Sequence, residues 1–170
     1  MHSYILNGEK IRVRMTEQGD LKYVMQTETD AMHAKFIGQN SPEEHIAMMR
    51  HPDILHLIIE ENESKLPVGY MIIAGKKNID NAVEIRRIAI SNKQQGYGSE
   101  ALELAVKLSF EELSAHRVWL DVRVHNEIAQ HAYESAGFVY EGVLRDAARL
   151  GDKYESVKIY SMLRPEYDAL

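Results

Sequence analysis

Apolar and polar residues alternate in short bursts over much of the chain, and stripes at helical spacing separate the bursts. Over residues 10–15, Ile11, Val13 and Met15 alternate with Arg12 and Arg14, the period of a half-exposed strand. Gly19-Asp20 opens a short helix carrying Leu21, Val24 and Met25. Ser41-Pro42-Glu43-Glu44 predicts a firm helix start. It supplies an N-cap serine, a proline at the first helical position and a glutamate three residues after the cap. That helix should stop before His51-Pro52. Apolar runs at 54–59 and 68–74, joined by Glu61-Asn62-Glu63-Ser64-Lys65, read as a hairpin, and a strand follows at 83–90.

The second half continues the alternation. A helix is expected from about 98 to 113, its polar stripe reduced to Glu100, Glu103, Lys107, Glu111 and Ser114, so it should lie against a sheet. Val118, Leu120, Val122 and Val124 alternate with Trp119, Asp121 and Arg123, a strand at period two. Asn126 caps a short helix that Gly137 stops. Residues 138–150 and 153–163 form a last hairpin around Gly151-Asp152. With no repeat or linker, this order gives one mixed α/β (α+β) domain over residues 1–170.

Composition narrows the function classes. Hydrophobic residues make up 45% and charged residues 27% of 170, the balance of a globular protein with a self-sufficient core. The absence of cysteine excludes disulfides, thiolate metal sites and a thiol nucleophile. The 8 histidines are scattered, and His45, His51 and His56 lack a ligand pair one helical turn apart, so no metal site is expected. Residues 1–10 hold no apolar core of signal-peptide length, and no segment is long enough to span a bilayer. No membrane partner and a cytoplasmic location are therefore expected. A formal net charge of −6 argues against nucleic acid, whose phosphates need clustered Lys and Arg. It suits a cationic substrate, although solubility alone accounts for such a charge.

Two segments carry chemistry. Glu84-Ile85-Arg86-Arg87-Ile88-Ala89-Ile90 leads through Lys93-Gln94-Gln95-Gly96-Tyr97-Gly98-Ser99 into a helix. Glycines let the backbone approach a ligand, and the unpaired first N–H groups of the helix, with its dipole, suit a pyrophosphate. A dinucleotide-binding fingerprint does not fit. The third glycine is missing, no acidic ribose partner ends a second parallel strand, and the motif lies mid-chain. In the second segment, Asn126 and Tyr133 stand seven residues apart in Asn-Glu-Ile-Ala-Gln-His-Ala-Tyr-Glu-Ser-Ala-Gly-Phe. Two helical turns put them on one face. Taken alone, Asn126 reads as a cap and Tyr133 as a core aromatic with a bonded hydroxyl.

Together the segments resemble the GNAT superfamily of acetyl-CoA-dependent N-acetyltransferases. The closest flavour is the branch of ribosomal-protein N-terminal and spermidine acetyltransferases. The likeness runs from about Val83 to Tyr167, with Lys93 where the family loop usually has Arg or Gln and a spacing from Ile90 to Gly96 a couple of residues short. The resemblance implies a single domain with a mixed, mostly antiparallel central sheet flanked by helices. It implies that backbone groups of Ile88, Ala89 and Ile90 hold the pantetheine arm like an added strand. The N–H groups of Gln95, Gly96, Tyr97, Gly98 and Ser99 would hold the pyrophosphate, and Asn126 would bond the pantetheine. It also admits a homodimer.

The implied reaction is acetyl transfer from acetyl-CoA to a primary amine by direct attack, with no metal. An amine of pKa about 8 to 10.4 must first lose a proton. Glu84 is the candidate base, and a plain Glu84–Arg86 charge pair is its alternative. Tyr133 is the candidate acid for the leaving thiolate. Acceptor specificity is expected around 20–28, 41–50 and the loop 29–40, where Asp30, Glu43, Glu44, Glu60 and Glu61 could meet a cation. The rival reading is a non-catalytic acyl-CoA sensor, which would need neither Glu84 nor Tyr133.

Overall fold

The computed structural model describes residues 3–30, 32–91 and 95–170. Its strands form one 8-stranded sheet. In chain order the elements are β1 (Tyr4–Asn7), β2 (Ile11–Met15), α1 (Leu21–Thr29), α2 (Pro42–Arg50), β3 (Ile54–Glu61), β4 (Pro67–Ala74) and β5 (Ala82–Ile90). There follow α3 (Tyr97–Lys107), β6 (Arg117–Arg123), α4 (Glu127–Ser135), β7 (Val139–Leu150), β8 (Lys153–Leu163) and α5 (Arg164–Asp168). The strand order is β1-β2-β3-β4-β5-β6-β8-β7. Every neighbouring pair is antiparallel except β5 and β6, which α3 joins by a crossover. No helix among the described residues is long and apolar enough to cross a membrane.

The alternation seen in the sequence sorts side chains onto two faces. On one, Ile73, Val83, Ile85, Val118 and Leu120 pack against Ala101, Leu104 and Ala105 of α3. On the other, Ile58, Tyr70, Ile72 and Ala89 pack against Val24 of α1 and Met48 of α2. The α2 start forms as expected. Ser41 accepts from the Glu44 N–H at 3.1 Å, and Glu44 returns the bond to the Ser41 N–H at 2.7 Å.

Four elements depart from expectation. Residues 4–7 add a strand, β1, too short to show a period. The helix expected to open at Gly19-Asp20 begins as a 3₁₀ turn, Gln18–Asp20, before α1. The helix expected to reach residue 113 is α-helical only to Lys107, and Leu108–Glu112 widens into a π turn. There the buried Ser109 hydroxyl donates to the Ala105 carbonyl at 2.7 Å, competing with the helical ladder. Finally, Pro165 in the first turn starts α5, which brings Tyr167 onto Phe110 with ring centroids 4.6 Å apart.

Phe110 is fully buried between α3 and α5. Phe110→Ala should cost about 3–5 kcal/mol, read as a fall in the urea midpoint with little change in slope.

Candidate active site

The parallel junction of β5 and β6 is short. Only Ala82↔Arg117, Val83↔Val118 and Glu84↔Trp119 pair. Beyond them β5 runs on to Ile90 beside β4, and β6 runs on to Arg123 beside β8. The two strands diverge, and a slot opens through the sheet. A bulge in β5 adds to the divergence. Ile73 pairs with Ile85 and Ile72 with Arg87, which leaves Arg86 as the extra residue. Along the slot, β5 has no strand partner on its β6 side after Glu84. Ile88, Ala89 and Ile90 occupy the outer part of this free edge, where an extended ligand can pair with backbone groups.

At the open end of the slot, Gly96 adopts φ +78, a left-handed turn that favours glycine, and precedes the first turn of α3. Among the described residues no side chain caps that turn or bonds its first N–H groups. A Cβ on Gly98 would meet nothing nearer than Ile90 at 4.0 Å, so packing does not require glycine there and bare backbone is left for a ligand. The donor set fits a pyrophosphate. Gln95 and Ser99 are exposed beside it, whereas the Tyr97 side chain is buried and its hydroxyl donates to Glu61. Lys93 and Gln94 lie outside the described residues.

One neighbour of this loop escaped the sequence reading. Lys10, at the start of β2, donates from its ammonium to the Gln95 carbonyl at 3.3 Å. It adds a positive charge at the helix N-terminus, and no local pattern announces a partner 85 residues away.

Asn126 caps α4, accepting from the Ala129 N–H at 3.2 Å, and its own amide N–H groups make no hydrogen bond among the described residues. It sits just past the end of β6, at the same open end. Tyr133 is half-buried on the α3–α4 face, against Phe138 and Tyr160 with centroids 6.2 and 6.1 Å away. The expectation of a bonded hydroxyl fails: among the described residues the Tyr133 hydroxyl makes no hydrogen bond. Burial, then the charge of Asp121, raises its pKa to about 12, so the phenol is neutral at pH 7.

Glu84 lies on the opposite face, with Ala74 beside it on β4 and Trp119 on β6. It accepts from Arg86 Nε at 3.1 Å and Nη2 at 2.9 Å, so the charge pair exists. Two residues beyond Trp119, on the same face, stands Asp121, which the sequence reading treated only as the polar phase of a strand. Asp121 is exposed to solvent yet crowded by protein, as a group sunk in a cleft is. Desolvation first, and Glu84 second, hold its carboxyl above the usual range against Arg123, Arg86 and Arg87. No hydrogen bond to it is made among the described residues. Glu84 and Tyr133 therefore do not touch. They approach the vertex of the slot from opposite faces, with Asp121 coupled to both.

This arrangement of splayed strands, open strand edge and glycine-led helix start coincides with a known family. The acetyltransferase (GNAT) family model matches residues 21–138. The chain belongs to the acetyltransferase (GNAT) family. Spermidine N(1)-acetyltransferase of Vibrio cholerae is 24% identical over 167 residues, 94% of this chain and 96% of that protein. A probable N-acetyltransferase of Bacillus subtilis, YjcK, is 31% identical over 72 residues, covering 42% of this chain and 40% of its own length. The crystal structure of the Vibrio cholerae spermidine N-acetyltransferase in complex with CoA and spermine superposes with a TM-score of 0.83. It has 23% identity and covers 94% of this chain and 99% of that one, a likeness of fold.

A carboxyl raised in the folded state binds more protons than in the unfolded chain, so stability falls as pH rises through its range. Asp121→Asn should therefore raise Tm at pH 7, and the gain should fade as pH drops below the carboxylate range, where both forms are neutral. Calorimetry of both proteins at pH 4 and pH 7 checks the sign.

Proposed function

We propose that this protein transfers the acetyl group of acetyl-CoA to a primary amine of a small polyamine-like acceptor. One observation carries the reading: a slot through the sheet with an unbonded phenol on one face and two coupled carboxylates on the other. Such a slot gives a thioester access to an acid on one side and an amine access to bases on the other. The polyamine class is supported by the likeness to a spermidine N(1)-acetyltransferase along nearly the whole chain. Carboxylates at the vertex also suit an ammonium that must lose its proton there.

In the step itself the amine nitrogen attacks the thioester carbonyl carbon. The N–C bond forms, the C–S bond breaks, and sulfur leaves with the electron pair. The Glu84–Asp121 pair takes the amine proton. Asp121 suits this task because its raised pKa brings it nearer to neutrality and it has no arginine hydrogen-bonded to it, as Glu84 has. Tyr133 gives its proton to the thiolate. The backbone at Ile88, Ala89 and Ile90 holds the pantetheine, Asn126 bonds it, and Gln95 to Ser99 with Lys10 hold the phosphates. For the homodimer the supporting feature is the edge strand β7, which exposes Val139, Tyr140, Val143 and Leu144, so a second copy is placed there. The cytoplasm is the compartment that supplies acetyl-CoA, and the enzyme is placed in it.

The deciding experiment is thiol release from acetyl-CoA across polyamines, aminoglycosides, amino acids and N-terminal peptides. Turnover should be highest with spermidine or spermine, and tight acetyl-CoA binding without any acceptor-dependent turnover would overturn the reading. Tyr133→Phe should keep acetyl-CoA affinity and lose roughly 10²–10⁴-fold in kcat, as for a removed general acid. Glu84→Gln and Asp121→Asn should be most impaired at low pH. Their defects should shrink as pH approaches the pKa of the amine, about 10.4, where free amine is abundant. Defects independent of pH would remove both carboxylates from proton transfer.

A further inference from the structure

One heavily bonded carboxylate takes no part in the chemistry. Glu28, near the C-terminal end of α1, is fully buried. Its Oε1 accepts from the Tyr70 hydroxyl at 2.8 Å and from Arg87 Nη1 at 2.5 Å, and lies 3.0 Å from His45 Nε2. Its Oε2 accepts from the Asn40 backbone N–H at 2.9 Å. Behind it, His45 Nδ1 meets His56 Nε2 at 3.0 Å, and His56 Nδ1 meets Thr16 Oγ1 at 2.8 Å. Burying a carboxylate this deeply is costly unless its donors are fixed. Here they come from α2, β4, β5 and the segment leading into α2.

That segment, residues 32–40, crosses the slot on the carboxylate face. At the β5 wall, Asn40 Oδ1 accepts from Arg87 Nη1 at 3.0 Å, and a Cβ on Gly38 would lie 3.8 Å from Arg87 Nη2. At the β6 wall, the Phe36 carbonyl accepts from Arg123 Nε at 3.4 Å, and the Phe36 ring meets His125 edge-on at 5.3 Å. Arg87 stands three residues beyond Glu84, and Arg123 two beyond Asp121. The crossing therefore bars the mouth rather than the vertex. Its two ends are unequal. The Asn40 end is held by a charged, buried acceptor, whereas the Phe36 end has one long hydrogen bond and an aromatic edge.

We propose that Glu28 is the positioning residue for the acceptor: it fixes segment 32–40 across the carboxylate-side mouth, and so sets how an amine reaches Glu84 and Asp121. The proposal rests on the acetyl-transfer reading. Glu28 touches neither substrate and acts through Asn40 and Arg87.

Glu28→Gln separates this role from simple scaffolding. The amide oxygen can still face Tyr70, Arg87 and His45, but its NH₂ then opposes the Asn40 N–H, donor against donor, and frees that end of the crossing. Losing a hydrogen bond to a charged group predicts a rise of roughly tenfold or more in KM for spermidine, with KM for acetyl-CoA unchanged. Hydrogen exchange at residues 32–40 should quicken. Asn40→Ala, which keeps the backbone bond to Glu28 and removes the side-chain bonds to Arg87 and Glu44, should raise KM for spermidine less and change Tm little. Equal shifts for both substrates, or a fall in Tm with exchange at 32–40 unaltered, would overturn the proposal. A wild-type protein that acetylates no amine defeats the acetyl-transfer reading instead, and exchange at 32–40 in Glu28→Gln still decides the positioning role.

Discussion

The parallel pairing of β5 with β6 lasts for three residue pairs and then stops at Glu84 and Trp119. Each strand keeps its antiparallel partner on the other side, so neither unravels when they part. The cost is a row of backbone groups on β5 without a strand partner, which a soluble sheet would ordinarily cover or pair. An extended ligand resolves that deficit by acting as the missing strand. The crossover helix α3 follows the C-terminal end of β5, so strand edge and helix start lie at the same end of the slot. The bulge at Arg86 serves the same geometry, since it turns β5 without breaking its ladder to β4.

A slot through a sheet also solves an electrostatic problem. An acid that must stay protonated and bases that must accept protons interfere when they share one surface. Here Tyr133 approaches from the α3–α4 face, and Glu84 and Asp121 from the α1–α2 face. Burial and the Asp121 charge both favour the neutral phenol, while Glu84 and burial both favour proton uptake by Asp121. The groups thus tune one another in the directions a general acid and a general base need. Arg86 keeps the pair of carboxylates from being purely repulsive.

Much of this was legible in the residues. Period-two alternation located β2 and β6, continuous apolar runs located β3 and β4, which are buried on both faces, and the turn at Gly151-Asp152 located the last hairpin. The α2 capping box and the glycine after α4 set boundaries through local chemistry alone. Tyr133 and Glu84 were candidates from the motif around them, and the structure sets them on opposite faces of the sheet. The misses share a cause. Asp121 reads as the ordinary polar phase of a strand, and only the divergence of β5 makes its face a cleft. Lys10 gains its meaning from Gln95, and Glu28 from Asn40 and Arg87, across separations that no window of sequence connects. The faces of α1 and α2 were visible, but the histidines inside them were not predicted to join a carboxylate, since His45 and His56 share no helical or strand period.

Two carboxylates define the molecule by their contrast. Glu28 is fully buried, yet its partners outweigh the burial that pushes it up and hold its pKa below the usual range. Asp121 is reached by solvent, yet nothing among the described residues hydrogen-bonds it and its pKa is pushed the other way. Desolvation pushes both carboxyls up, so the number of fixed donors decides. A carboxylate with its full complement of donors has no free energy to offer a substrate, and it can only hold other groups in place. One left without donors in a cleft is destabilising until a ligand arrives to bond it. The fold therefore concentrates hydrogen bonds on Glu28, where they keep shape, and places none on Asp121 among the described residues. That division places the rigid node under the Asn40 end of the 32–40 crossing.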